Sequence, residues 1–232
     1  MAIAAAVKTS NLSEVDGTIF NTASITMDAS KLYLVSVASH GGPPARTVTP
    51  SGGSLTYTSV VSTTFSTIAS AAKRIETFRV MPGSGTTTAI TFTWSASVGH
   101  CHWSVDEFTG IDTSGTNGSG AIVQSLSDRS DSASGLTITL AGFGSTGNAA
   151  YGYFARAANE NLTEGSGFTA LGETTGTETP TTSCLSEWKL NDNTVDFTAT
   201  STGPLAGLAI EIKEATGGAP AVTRRTLLGV GV

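Results

Sequence analysis

The chain has 232 residues, 39% of them hydrophobic and 13% charged, with a net charge of −6. That balance excludes a charged disordered chain, which lacks apolar surface to bury, and a helical bundle, which is built from Glu, Lys and Leu. The acidic balance also argues against nucleic acid as the main partner, since phosphate contacts need clustered Lys and Arg.

In chain order, Met1–Lys8 is apolar but has neither the basic flank nor the length of a signal peptide. No run approaches the ~20 apolar residues of a membrane span. Folding in a cytoplasm is therefore expected, with Cys101 and Cys184 as buried thiols. Leu32 to Ala38 is apolar on both faces and reads as a strand in the middle of a sheet. Ser66–Lys73 supports one helical turn at most. Thr88, Ile90, Phe92, Trp94 and Ala96 share one face of a strand, with Thr91, Thr93 and Ser95 on the other, as in a half-buried antiparallel strand. Turn signals follow at Pro82-Gly83-Ser84-Gly85, Gly144-Ser145-Thr146-Gly147 and Asn191-Asp192-Asn193. Ile122–Leu126 reads as strand directly after the loop at 112–119.

The chain repeats itself. Lys31–Ser39 is echoed by Ala150–Ala158, Gly53–Tyr57 by Ser166–Ala170, and Arg74–Val80 by Cys184–Leu190. The last match sets Phe78 opposite Trp188 and Val80 opposite Leu190. Ile90–Ser97 meets Val195–Thr202, and Ser104–Phe108 meets Leu208–Ile212, which sets Glu107 opposite Glu211 as a recurring outward-facing charge. The expected fold is all-β: an antiparallel, jelly-roll-like β-sandwich over residues 1–214, built from two repeats (about 1–111 and 119–214). Two tandem immunoglobulin-like domains are the other arrangement that fits. Met1–Lys8 and Ala215–Val232 are expected as extended arms. The apolar Leu227, Leu228, Val230 and Val232 suit burial on a neighbouring subunit, with Arg224 and Arg225 pairing acidic residues at the rim.

The stretch His100-Cys101-His102-Trp103-Ser104-Val105-Asp106-Glu107 carries the residues closest to chemistry. On a strand His100 and His102 share a face, Cys101 points away, and Asp106 lies ~13 Å further along the histidine face. A metal would need a third ligand. His40 supplies one if its strand pairs antiparallel with that of His100, which gives the candidate set His40, His100 and His102. The preferred reading places these histidines at a loop-to-strand junction, exposed or in a subunit contact, with no metal and no cofactor. Asp106 and Glu107 are neighbours on opposite faces and cannot flank one bond. No nucleophile elbow or phosphate loop is present. Trp103, Tyr57 and Tyr151 remain as candidates for sugar stacking, with Trp94 and Trp188 in the core.

The succession Ser24-Ile-Thr-Met, Lys31-Leu-Tyr-Leu-Val-Ser-Val, a Gly-Gly/Ser-Leu-Thr-Tyr strand, Arg74-Ile-Glu-Thr-Phe-Arg-Val, Thr91-Phe-Thr-Trp-Ser and Val105-Asp-Glu-Phe-Thr-Gly110 resembles the Thr/Gly/Ser-rich β-sandwich proteins of tailed-bacteriophage virions. The likeness, one of pattern and composition, spans about residues 20–214 and covers capsid-surface and minor tail proteins. It implies a non-enzymatic capsid decoration or cement subunit at the virion surface, folded in the host cytoplasm. The implied partners are further copies of the chain and the major capsid protein, with no nucleic acid and no membrane. A tail or fibre adhesin that binds host glycan through loops 40–52 and 158–182 is the alternative, and a cupin-like metalloprotein the third.

Overall fold

The computed structural model describes residues 1–41, 46–66 and 72–215. Apart from one 3-10 turn at Ser119–Ala121, the regular structure among them is β. The first half contributes β1 (Ala4–Ser13), β2 (Gly17–Asn21), β3 (Ile25–Met27), β4 (Leu32–His40), β5 (Val48–Ser51), β6 (Thr58–Phe65), β7 (Lys73–Val80), β8 (Thr86–Thr88), β9 (Thr91–Val98) and β10 (His100–Thr109). The second contributes β11 (Ile122–Thr139), β12 (Ala149–Arg156), β13 (Thr163–Glu164), β14 (Thr169–Thr175), β15 (Ser183–Leu190) and β16 (Thr194–Ile212).

Two large antiparallel sheets carry the fold. Sheet I has the order β1-β10-β4-β7-β6, and sheet II has β11-β16-β12-β15-β14. These are the same order, with the start of β11 in the place of β1 and the end of β16 in the place of β10. Each half then adds an outer layer. In the first it is the small sheet β2-β9-β5. In the second, β11 and β16 run on past the inner sheet, where β13 pairs with β16. Register breaks in β11 between Ser130 and Gly135 mark the bend from inner to outer layer.

At that bend Arg156, 2% exposed, donates to the Glu160 carboxylate at 2.6 Å, to the Ala133 carbonyl at 3.0 Å and to the Ser201 hydroxyl at 2.9 Å. One guanidinium thus ties β12 to both long strands where they change layers. Glu160 in turn accepts from the Thr200 and Ser201 backbone N–H groups.

The layers enclose three cores. Sheets I and II face each other over Leu32, Leu34, Phe108, Tyr151, Tyr153, Leu208 and Ile210. The far face of sheet I packs Val35, Val37, Trp103 and Val105 against Phe92 and Trp94 of the outer layer. The far face of sheet II packs Phe154, Leu185 and Ala209 against Leu136, Val195 and Phe197. Because β4 and β12 are covered on both sides, they are buried along nearly their whole length and read as largely apolar runs. β9, covered on one face, alternates Phe92 and Trp94 with exposed Thr93 and Ser95. Laterally, β1 lies against β14, and β6 lies against β11. Each half therefore offers its two edge strands to the other in the same way, so the inner sandwich has approximate twofold symmetry.

Three expectations need correction. Met1–Lys8 is not an arm: Ala4–Ser13 pairs with β10 as the edge strand of sheet I, and Ile3 is buried in the central core. The apolar character read as an extended arm is that of an ordinary edge strand. The pairing of Phe78 with Trp188 is one residue out of phase. Phe78 faces an outer core whereas Trp188 packs on the central one, and Leu190 is exposed. A one-residue slip exchanges the faces of a strand; Leu185 is the β15 side chain that fills the outer core. Glu107 and Glu211 do occupy matching positions, but both are covered, at 8% and 1% exposure. Tyr33, Lys31 and Lys8 satisfy Glu107, and Gln124 and Asn148 satisfy Glu211. The arm residues Arg224, Arg225, Leu227, Leu228, Val230 and Val232 lie outside the described residues, as does 67–71 of the proposed helical turn; Lys73 opens β7.

Candidate functional site

β10 divides the sequence cluster between two faces. Cys101, Trp103 and Val105 enter the outer core of the first half, while His100, His102, Ser104, Asp106 and Phe108 face sheet II. Antiparallel pairing of β10 with β4 sets His100 directly opposite His40. The rings of His40 and His100 lie 5.5 Å apart between centroids, and those of His100 and His102 lie 5.1 Å apart. The structure thus brings the three histidines together. They are not exposed at a junction, as the sequence suggested: His100 and His102 are 1% and 0% exposed. The strand simply continues into the interior of the inner sandwich, where the opposite half covers them.

His100, His102, Ser104 and Asp106 each meet a partner from sheet II or its loops, although His102 Nε2 is buried without one among the described residues. His100 Nε2 is 2.8 Å from Thr182 Oγ1, and His102 Nδ1 is 2.8 Å from Thr174 Oγ1. Ser104 donates to Asp106 at 3.0 Å and meets Ser186 Oγ at 3.1 Å. Tyr151 donates its hydroxyl to Asp106 Oδ2 at 2.8 Å, and its oxygen meets Ser36 Oγ at 2.7 Å. Ser36 in turn meets Thr77 Oγ1 at 2.8 Å. With the Tyr151 proton directed at the carboxylate, Ser36 must donate to Tyr151 and Thr77 to Ser36, so three hydroxyls point their protons along one line toward Asp106. Lys73 Nζ donates to Thr182 Oγ1 at 2.7 Å. Thr182 Oγ1 thus accepts from the lysine and bridges it to His100 Nε2.

Burial sets the electrostatics. It draws His100 down to about 2, helped by His102, Lys73 and His40, and draws His102 down to about 3, with Lys73 adding to the effect. Both are neutral imidazoles at physiological pH. Burial pushes Asp106 up to about 7 against the pull of Tyr151, Ser104 and Ser186. Glu187, on the opposite face of sheet II, is pushed up to about 8 by burial, with the Gly165 N–H opposing. The thiols of Cys101 and Cys184 are buried, unpaired with each other and raised in pKa, Cys184 to about 12.

Neutral imidazoles are the form that binds metal. Among the described residues, however, no three His, Cys, Asp or Glu side chains are placed to share an ion. Two surface cavities, of about 660 and 240 Å³, open elsewhere, and neither is lined by a histidine or by Asp106. Of the stacking candidates, Trp103 and Tyr151 are buried, at 5% and 0% exposure, because both belong to cores. Tyr57 is half-buried, with its hydroxyl pushed up to about 12 by burial.

The chain matches no protein-family model, and comparison with curated proteins and with solved structures finds no match. The class that fold and site define is an all-β sandwich protein whose most reactive-looking side chains form a hydrogen-bonded seam between its own two halves. Sequence reasoning missed the second side of that seam, Thr174, Thr182 and Ser186, and the sheet I lysine, Lys73, that reaches across to it. A Ser or Thr on a strand carries the same sequence signal whether it faces water or another sheet.

Proposed function

We propose that this protein is a non-enzymatic structural subunit of a tailed-phage virion, a decoration or cement protein of the capsid surface that folds in the host cytoplasm. The observation that carries the reading is the closure of the seam. His100, His102 and Asp106, the residues with catalytic character, are 0–1% exposed and hydrogen-bonded to the opposite half. They hold the body together. The resemblance in the β-strand succession of residues 20–214 supplies the virion assignment. Attachment to the shell and to neighbouring copies falls to the segment 216–232, with Arg224, Arg225, Leu227 and Leu228, since Ala4–Ser13 is committed to sheet I.

The experiment is incorporation. Particles assembled without the protein are mixed with the full chain or with a chain ending at Ala215, then sedimented. The reading expects the full chain to travel with the particles and the shortened chain, still folded by circular dichroism, to stay behind. Failure of the full chain to join any particle overturns it. Saturable binding to host cells rather than to shells would instead favour the tail adhesin.

A further inference from the structure

Lys73 opens β7, opposite His40 on one side and Phe65 on the other. Its side chain is 1% exposed. Two of its three N–H donors have partners among the described residues, Thr182 Oγ1 at 2.7 Å and the Pro180 carbonyl at 3.2 Å. Among these residues no carboxylate forms an ion pair with it, although seven other ion pairs occur. The sequence just before it, residues 66–72, contains no acid. The titratable groups nearest to it do not supply a negative charge. His100 and His102 are neutral and the Cys184 thiol is held protonated. Burial lowers the ammonium to about 8, so most of it is still charged at neutral pH. A cation taken out of water without a counter-ion is costly, and an anion placed beside it removes much of that cost.

The same lysine lines a cavity of about 240 Å³ together with Ser66, Ala157, Thr179, Pro180, Thr181 and Pro204. That volume is below the roughly 300–1,000 Å³ of sites for drug-sized ligands, so the occupant has few heavy atoms. The described lining combines polar residues (Lys73, Ser66, Thr179 and Thr181) with apolar ones (Ala157, Pro180 and Pro204). A carboxylate on a short aliphatic stem matches both parts. We propose that this cavity is a binding site for a short-chain monocarboxylate, its carboxylate on the Lys73 ammonium and its stem against Ala157, Pro180 and Pro204. The proposal stands independently of the virion reading.

The test uses the full chain, with butyrate as ligand and butyramide as its neutral isostere, at constant ionic strength. Binding is read by calorimetry and by the Lys73 resonance of protein carrying carbon-13 at the lysine ε positions, assigned through Lys73→Met. The proposal expects saturable butyrate binding at about 1 mM or tighter, no saturation by butyramide, and at least about tenfold weaker butyrate binding in Lys73→Met. Equal response to butyrate and butyramide, undiminished binding in Lys73→Met, or no saturation through about 50 mM butyrate overturns it. Ala157→Phe keeps the lysine and fills the cavity. If Lys73→Met fails to fold, retained butyrate binding in folded Ala157→Phe overturns the proposal and its loss supports it.

Discussion

The Tyr151 hydroxyl, from sheet II, reaches across the central core and donates to the Asp106 carboxylate of sheet I at 2.8 Å, with both residues 0% exposed. The first prediction rests on this pair. Tyr151→Phe keeps the ring and leaves a buried carboxylate one donor short, which costs about 1–3 kcal/mol. Urea unfolding should show a lower midpoint with an unchanged m-value. The double variant Tyr151→Phe/Asp106→Asn should lose less than the sum of the two single changes, because the groups act on each other. Strict additivity would mean that the contact contributes nothing.

Stability should stay roughly level from about pH 4.5 to 6.5 and fall from pH 6.5 to 8. His100 and His102 bind protons in the unfolded chain but not in the fold, so their contribution rises with pH up to the ordinary histidine value of 6.5 and then gains no more. Asp106 and Glu187 have folded values of about 7 and about 8, above the unfolded 3.8 and 4.5, so their contribution falls as pH rises until those folded values are passed. The relief from deprotonating Lys73 begins only near pH 8. Between pH 6.5 and 8 the decline therefore dominates, at up to about 1.4 kcal/mol per pH unit for each group. Chemical unfolding across this range should show the fall in the wild type and its loss in Asp106→Asn/Glu187→Gln. A stability that climbs from pH 6.5 to 8 would contradict the assignment.

Glu160 neutralises Arg156 at the bend of the two long strands. Glu160→Ala leaves a 2%-exposed guanidinium without its carboxylate and removes the acceptor of the Thr200 and Ser201 amides. Loss of one partner of a buried pair costs about 3–5 kcal/mol. The melting temperature should drop sharply. Hydrogen exchange should quicken first in the outer layer of the second half, around Leu136 and Phe197. A uniform change over both halves would argue against a local role.

Cys101 and Cys184 should be silent towards thiol reagents in the native state and both react after unfolding. Their burial and raised pKa remove the thiolate that such reagents need. Stoichiometric labelling of the folded protein at pH 8 would contradict the packing.

The sequence made the all-β class and the doubled strand order legible for a physical reason. Alternation in Phe92–Ser95 and largely apolar runs such as Leu32–Ala38, broken only by Ser36, report directly on one-sided and two-sided burial. Register was harder to read: Phe78 and Trp188 are both large and apolar, and since both faces of their strands are covered, hydrophobicity does not say which face is which. The site was half legible. Spacing alone placed His100, His102 and Asp106 on one face, and His40 within reach of them only if its strand paired with theirs, as β4 and β10 do. It gave no sign of what that face meets, because the partners Thr174, Thr182 and Ser186 look like solvent-facing residues until sheet II is laid over sheet I.

The central claim, a structural subunit of a virion, is tested most directly by counting. Quantitative mass spectrometry of purified particles should find this chain at a fixed simple ratio to the major shell protein. It should remain bound through density-gradient purification and be lost together with segment 216–232. Absence from the particles, with the protein left in the host lysate, would contradict the account.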